Sequence, residues 1–205
     1  MLKDNILVSE CIKHNSYAQR ELYDRYAPKM RAICFRYASS ADEAKDILQD
    51  AFIKIFQKLG QFSGSGSLEG WIKRIVINTA IESFNRRKKC NHVSIDEVNE
   101  GEFGTDGENA SAEGIEVDKK DFAGSFSLDL LIEANLTKEE LTGAMNKLPE
   151  IFRLVFNLFF IENYSHKEIS EILGIDETTS RTRVLRARKL LQKEIYGLTA
   201  QKICR

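Results

Sequence analysis

Little in this sequence suits catalysis or metal binding. Of its 205 residues only three are histidine, His14, His92 and His166, and none belongs to a recognisable set of nucleophile, base and carboxylate. Cys11, Cys34, Cys90 and Cys204 lie too far apart for two thiolates to share a metal by paired spacing, and no histidine completes a zinc motif. They read as free thiols in a reducing compartment. Phosphate loops and metalloprotease motifs are missing as well. The greasiest stretch, 151–161, is short and broken by Arg153 and Asn157, and Met1-Leu2-Lys3-Asp4-Asn5 lacks the apolar core of a signal peptide. The expectation is a soluble cytoplasmic protein that inserts in no membrane, has no enzymatic site, and needs no metal or cofactor.

A strong net charge is also missing, but the formal value of −1 conceals a cancellation. Residues 1–90 carry 16 Lys and Arg against 10 Asp and Glu, residues 91–140 carry 3 against 14, and residues 165–205 carry 9 against 5. Two basic modules joined by an acidic segment are a pattern of nucleic-acid binders more than of globular enzymes. The length suits two small domains.

Periodicity makes both modules helical. Ala44, Ile47, Leu48, Ala51, Phe52, Ile55, Phe56 and Leu59 follow helical spacing, which predicts a helix over 42–59 capped by Ser39 or Ser40. Upstream, Leu22, Tyr23, Tyr26, Met30, Ile33, Cys34 and Tyr37 predict another, with Pro28 as a point of kinking or division. Turn formers over 61–67 interrupt the pattern, and it resumes from Leu68 to about Lys89. Residues 91–136, rich in Gly, Asn, Ser and carboxylates, read as a flexible acidic linker that solubilises the chain or competes with DNA for its basic surfaces. Within it, Leu128-Asp129-Leu130-Leu131-Ile132 is the one stretch fit for a short helix or for docking elsewhere. The fold class is therefore all-α, with a helical domain over 1–90 and a second over 137–205.

The second domain carries a helix-turn-helix pattern. Thr137 and Glu140 have capping-box spacing, Pro149 opens a helix running through Phe160, and Ser165 with Glu168 forms another capping box. Gly174 stops that helix, and Asp176 caps a last one from Glu177 to about Ile195. The N-terminal part of such a second helix enters the major groove, which points to Thr178, Thr179, Arg181, Thr182, Arg183 and Arg186 as DNA contacts, since guanidinium forks match guanine O6 and N7. A merely solvated cationic face requires the capping box, glycine stop, second cap and arginine spacing to coincide by chance.

In the first domain, Trp71 to Ala80 leads through Ile81-Glu82-Ser83-Phe84 into Arg86-Arg87-Lys88-Lys89. Aromatics, the amide of Asn78 and a terminal stack of cations suit a surface that grips phosphates and handles unpaired bases. Taken singly, the features have ordinary readings. A mid-helix Asn is usually a surface residue, cations at a helix C-terminus answer its dipole, and Trp71 is core unless its indole reaches an edge. Asp46, Gln49 and Asp50 share one polar helix face, which by periodicity alone is only solvated.

Together, the run Asp46 to Phe52, Phe62 through Gly70 to Ala80, Leu148-Pro149-Glu150 and Tyr164 to Arg188 resemble an extracytoplasmic-function sigma factor of bacteria, over about 10–90 and 137–195. The resemblance implies a first domain that binds core RNA polymerase and recognises the minus-ten promoter element. It implies a second that reads the minus-thirty-five element, with no large middle domain. It assigns Asp46, Gln49 and Asp50 to the clamp helices of the polymerase largest subunit, and Asn78 to a site receiving a flipped non-template base, near Phe62 and Ser63. Lys73, Arg74, Arg86 and Arg87 then serve the strand backbone, and Arg181, Thr182, Arg183 and Arg186 face the upstream promoter DNA. An anti-sigma factor is a further partner the resemblance admits, although no residue identifies one. Ser180 departs from the pattern, which usually has an apolar residue there. The rival reading is a dimeric helix-turn-helix regulator that binds an operator unaided and uses 1–90 for oligomerisation or sensing.

Overall fold

The computed structural model describes residues 3–90 and 136–203, which belong to two separate helical units divided near Gly104. The acidic linker over 91–135, with Leu128 to Ile132, lies outside the described residues, as do the side chains of Lys88 and Lys89. No strand occurs among the described residues.

In the first unit, α1 (Asp4–Ile12) is followed by α2 (Ser16–Tyr37), α3 (Ala41–Lys58), a 3-10 turn (Leu59–Gln61) and α4 (Leu68–Cys90). The Asn15 side chain caps α2, accepting from the Tyr17 and Ala18 N–H groups at 3.0 and 3.4 Å. Pro28 does not divide α2, which continues through it. Pro28 and Asp24 are both exposed, so water can satisfy the Asp24 carbonyl that loses its amide partner, while Leu22, Tyr26, Met30 and Ile33 hold the helix on the core. Tyr23, one of the residues at helical spacing, is 43% exposed and rests its ring on Phe52 at 4.7 Å. Of the two candidate caps for α3, Ser40 serves, accepting from the Glu43 N–H at 3.1 Å.

Helix α1 is an element that periodicity did not signal. Its apolar residues Ile6, Leu7 and Val8 are contiguous, and Lys3 at its N-cap makes no side-chain cap. Packing supplies what the sequence pattern lacks: Leu7, Val8 and Cys11 are buried against α2 and the 3-10 turn.

The second unit contains α5 (Lys138–Asn146), α6 (Glu150–Phe156), α7 (His166–Leu173) and α8 (Glu177–Ile203). Both capping boxes form, Thr137 with Glu140 and Ser165 with Glu168. The helix opened by Pro149 does not stay α-helical to Phe160. It changes at Asn157–Ile161 to a wider π turn, closed by the Glu162 N–H donating to the Asn157 carbonyl at 3.0 Å. Gly174, at φ +64°, ends α7 in the left-handed conformation a glycine adopts at least cost. Helix α8 extends eight residues past the expected end at Ile195, and buried Thr199 donates to the Ile195 carbonyl at 2.8 Å.

Candidate nucleic-acid interface

Helix α4 sorts its residues by face. Leu68, Ile72, Val76, Ile77, Ala80, Ile81 and Phe84 are buried, whereas Gly70, Arg74, Asn78, Glu82 and Arg86 form an exposed ladder at four-residue intervals. From Arg74 to Arg86 this ladder extends about 18 Å along the helix. Asn78 lies in its middle, exposed, and its side chain has no hydrogen-bond partner among the described residues. Next to it, Thr79 is buried and returns its hydroxyl to the Ile75 carbonyl at 2.9 Å. The acidic interruption, Glu82, pairs with Lys54 of α3, which leaves the ladder's outward charge positive.

Only part of the basic cluster faces outward. Arg86 is exposed, with its guanidinium 4.0 Å from the Asp50 carboxylate. Arg87 is drawn inward: it pairs with Glu43 and lies over the Phe84 ring at 5.8 Å. The same Glu43 carboxylate accepts from the Ser39 N–H and hydroxyl at 2.7 and 2.6 Å and from the Ser83 hydroxyl at 3.1 Å. Arg87 thus fastens α4 to the start of α3, a structural use for a cation expected on a DNA strand.

Phe62 and Ser63 lie on the loop between the 3-10 turn and α4. Phe62 and Trp71 are half-buried and pack ring against ring at 5.7 Å, so the indole reaches the domain edge. Trp71 precedes Asn78 by two helical turns and lies on nearly the same side of α4, about 10 Å away along the axis. The loop, Trp71, Arg74 and Asn78 therefore form one continuous surface. Lys73 is half-buried at its flank.

Asp46, Gln49 and Asp50 are all exposed on α3. Periodicity gives no sign of what adjoins them. An open groove of about 740 Å³ lies between α2 and α3, lined by Gln49 and by Tyr23, Leu48, Phe52 and Ile53. Ile53 is 50% exposed. It falls outside the apolar stripe of α3, so a large apolar residue on a polar face was the available signal.

On α8 the inward stripe is Ser180, Arg183, Val184, Ala187 and Leu191. Arg183, expected to face DNA, is thus turned into the domain and is 8% exposed, because it follows Ser180 by three residues and precedes Ala187 by four. Thr178 is exposed; Thr179, Arg181, Thr182 and Arg186 are half-buried. Glu177 holds Arg181 at 3.0 Å, and the Thr182 hydroxyl donates to the Thr178 carbonyl at 2.9 Å.

Ser180 is fully buried, with its hydroxyl 3.0 Å from Nδ1 of His166, whose ring stacks on Phe159 at 4.3 Å. A polar residue at a usually apolar position is thereby matched by a polar partner. Ser180→Val is expected to destabilise the second unit by about 1–3 kcal/mol, since the imidazole nitrogen loses its hydroxyl partner. Ser180→Val with His166→Phe should recover part of that loss. Thermal unfolding of the four proteins in the cycle measures the coupling.

The described thiols do not suit nucleophilic or metal chemistry. Burial pushes the Cys34 thiol up to about 12, and burial followed by the nearby Glu21 and Glu10 charges raises that of Cys11. Among the described residues no group of three His, Cys, Asp or Glu is placed to hold a metal ion, and no helix is long and apolar enough to cross a membrane.

Family models agree with this division into two units. Sigma-70 region 2 matches residues 22–90, and Sigma-70, region 4 matches residues 138–191, together more than half of the chain. The chain is 28% identical over 192 residues to the ECF RNA polymerase sigma factor SigW of Bacillus subtilis, with 93% of this chain and 96% of that one covered. It is 27% identical over 204 residues to the ECF RNA polymerase sigma-E factor of Escherichia coli K12, with 96% of each covered. A solved structure of the sigma factor RpoE in complex with the anti-sigma factor NepR, from Bartonella quintana, is 20% identical, covers 86% of this chain and 96% of that one, and gives a TM-score of 0.48. With both regions present in order and relatives similar over nearly their whole length, the chain belongs to the extracytoplasmic-function class of RNA polymerase sigma factors.

Proposed function

We propose that this sigma factor docks on core RNA polymerase through Asp46, Gln49 and Asp50 with the groove beside them, and holds the unpaired minus-ten strand on α4. In this reading Arg74 and Arg86 hold phosphates on either side of Asn78, Lys73 adds charge at the flank, and Asn78 bonds an everted base near Phe62 and Ser63. Thr178, Thr179, Arg181, Thr182 and Arg186 present the second unit to the minus-thirty-five groove. The carrying observation is the exposed amide of Asn78, without a partner among the described residues, between two outward arginines. A carboxamide offers donor and acceptor together, which suits the edge of an unpaired base.

The factor works in the cytoplasm without catalytic chemistry of its own, as a specificity subunit for polymerase. An anti-sigma factor is a third partner. The domains run over 1–90 and 137–205, and the acidic linker tethers them.

Run-off transcription with purified core polymerase tests the reading. Addition of the full chain should direct initiation from a discrete set of start sites in bacterial DNA, and core alone should not. Unaided, tight and sequence-specific binding to duplex DNA, with no effect on core polymerase, would favour the dimeric regulator instead.

A further inference from the structure

Helix α1 lies ahead of the segment that the region 2 model matches, yet it forms one wall of an open cavity of about 490 Å³ whose opposite wall is the loop carrying Phe62, Ser63 and Gly64. The α1 wall is Asn5, Val8, Ser9 and Ile12, a single helical face at i, i+3, i+4 and i+7. Val8 is buried beneath it, while Asn5 and Ser9 are exposed and their side chains have no partner among the described residues. Lys13 stands at the rim, paired with Glu10 at 2.8 Å. Across the gap, Gly64 turns the loop at φ +74°, and the Ser63 hydroxyl lies 2.7 Å from that of Ser65.

The volume falls in the range of small-ligand sites, and the wall chemistry is mixed: an aromatic edge, aliphatic carbons, a carboxamide and hydroxyls. A nucleobase needs that mixture, with an apolar face to lie against and a few donors and acceptors for its edge. The cavity also adjoins Phe62 and, through the Phe62–Trp71 contact, the end of the Asn78 surface. We propose that α1 is the second wall of a nucleobase pocket, and that Asn5 and Ser9 are specificity-determining side chains that read one unpaired base of the minus-ten strand. The proposal rests on the assignment of the minus-ten strand to the Asn78 surface, and extends it to a helix outside the matched region.

The test uses holoenzyme assembled from core polymerase and the full chain, transcribing a DNA library with a randomised minus-ten segment, and transcripts are sequenced for base preference at each position. Asn5→Ala and Ser9→Ala should flatten the preference at one position, by about tenfold for Asn5, and leave affinity for core unchanged. Asn5→Asp keeps the shape and removes the donor, so it should shift preference at that same position toward cytosine or adenine, whose exocyclic amines donate. Asn5 and Ser9 are exposed, so each variant should fold, which circular dichroism checks. Preference profiles of all three variants that superimpose on wild type overturn the proposal. If Asn78→Ala changes the profile in that case, the α1 assignment alone is wrong; if it also superimposes, the minus-ten reading of α4 fails with it.

Discussion

Replacing Asp46, Gln49 and Asp50 together by alanine should cost this sigma factor its association with core RNA polymerase, by a factor on the order of 10² or more. Hydrogen bonds to charged groups contribute about 1.5–3 kcal/mol each, and three on one face act together without adding strictly. The fold should survive. All three side chains are exposed, alanine favours a helix more than Asp or Gln does, and the Arg86 contact at 4.0 Å is an exposed pair of little worth. Ile53→Asp should weaken the same association by placing a charge at the mouth of the apolar groove. Competition for labelled core, read beside a thermal melt of each variant, measures both effects. A triple variant that melts normally and binds core as well as wild type would return this face to an ordinary solvated one.

What the sequence made legible, and what it did not, follows from which interactions are local. Caps are local: Thr137 with Glu140, Ser165 with Glu168 and the Gly174 stop use residues a few positions apart, and all three form. The direction of a long side chain is not local. Arg183 has the right residue type for groove contact, but its face is fixed by Ser180 and Ala187 packing inward, and Arg87 is claimed by a carboxylate 44 positions earlier. Counting faces along α8 would have found the first, since the apolar residues Val184, Ala187 and Leu191 already mark the inner stripe. Nothing local marks the second. Likewise α1 is stabilised by burial on α2 and the 3-10 turn, while its own nine residues show no clean period and its N-cap makes no side-chain bond.

Asn78→Ala should slow promoter opening by holoenzyme by about tenfold to a hundredfold while leaving assembly with core intact. Unstacking and everting a base costs a few kcal/mol, and non-specific contacts of a small basic surface give dissociation constants of only about 10⁻⁴ to 10⁻⁶ M, so the free chain should not open DNA at all. On the proposed reading, polymerase fixes the separation of the two DNA-binding units in holoenzyme, so that the second contact should form at the high effective concentration of a tethered site. The proposed part of the amide comes after that, in capturing the base once it leaves the stack. A promoter already unpaired across the minus-ten segment removes the unstacking cost, so it should restore most of the initiation that Asn78→Ala loses. A residue that served docking on polymerase would give no such rescue. Permanganate reactivity of unpaired thymines, followed in time on duplex and pre-opened templates, separates the two cases. Equal opening rates for Asn78→Ala and wild type on duplex DNA, or opening by the free chain at the rate of holoenzyme, would leave the exposed amide between Arg74 and Arg86 without a part in melting.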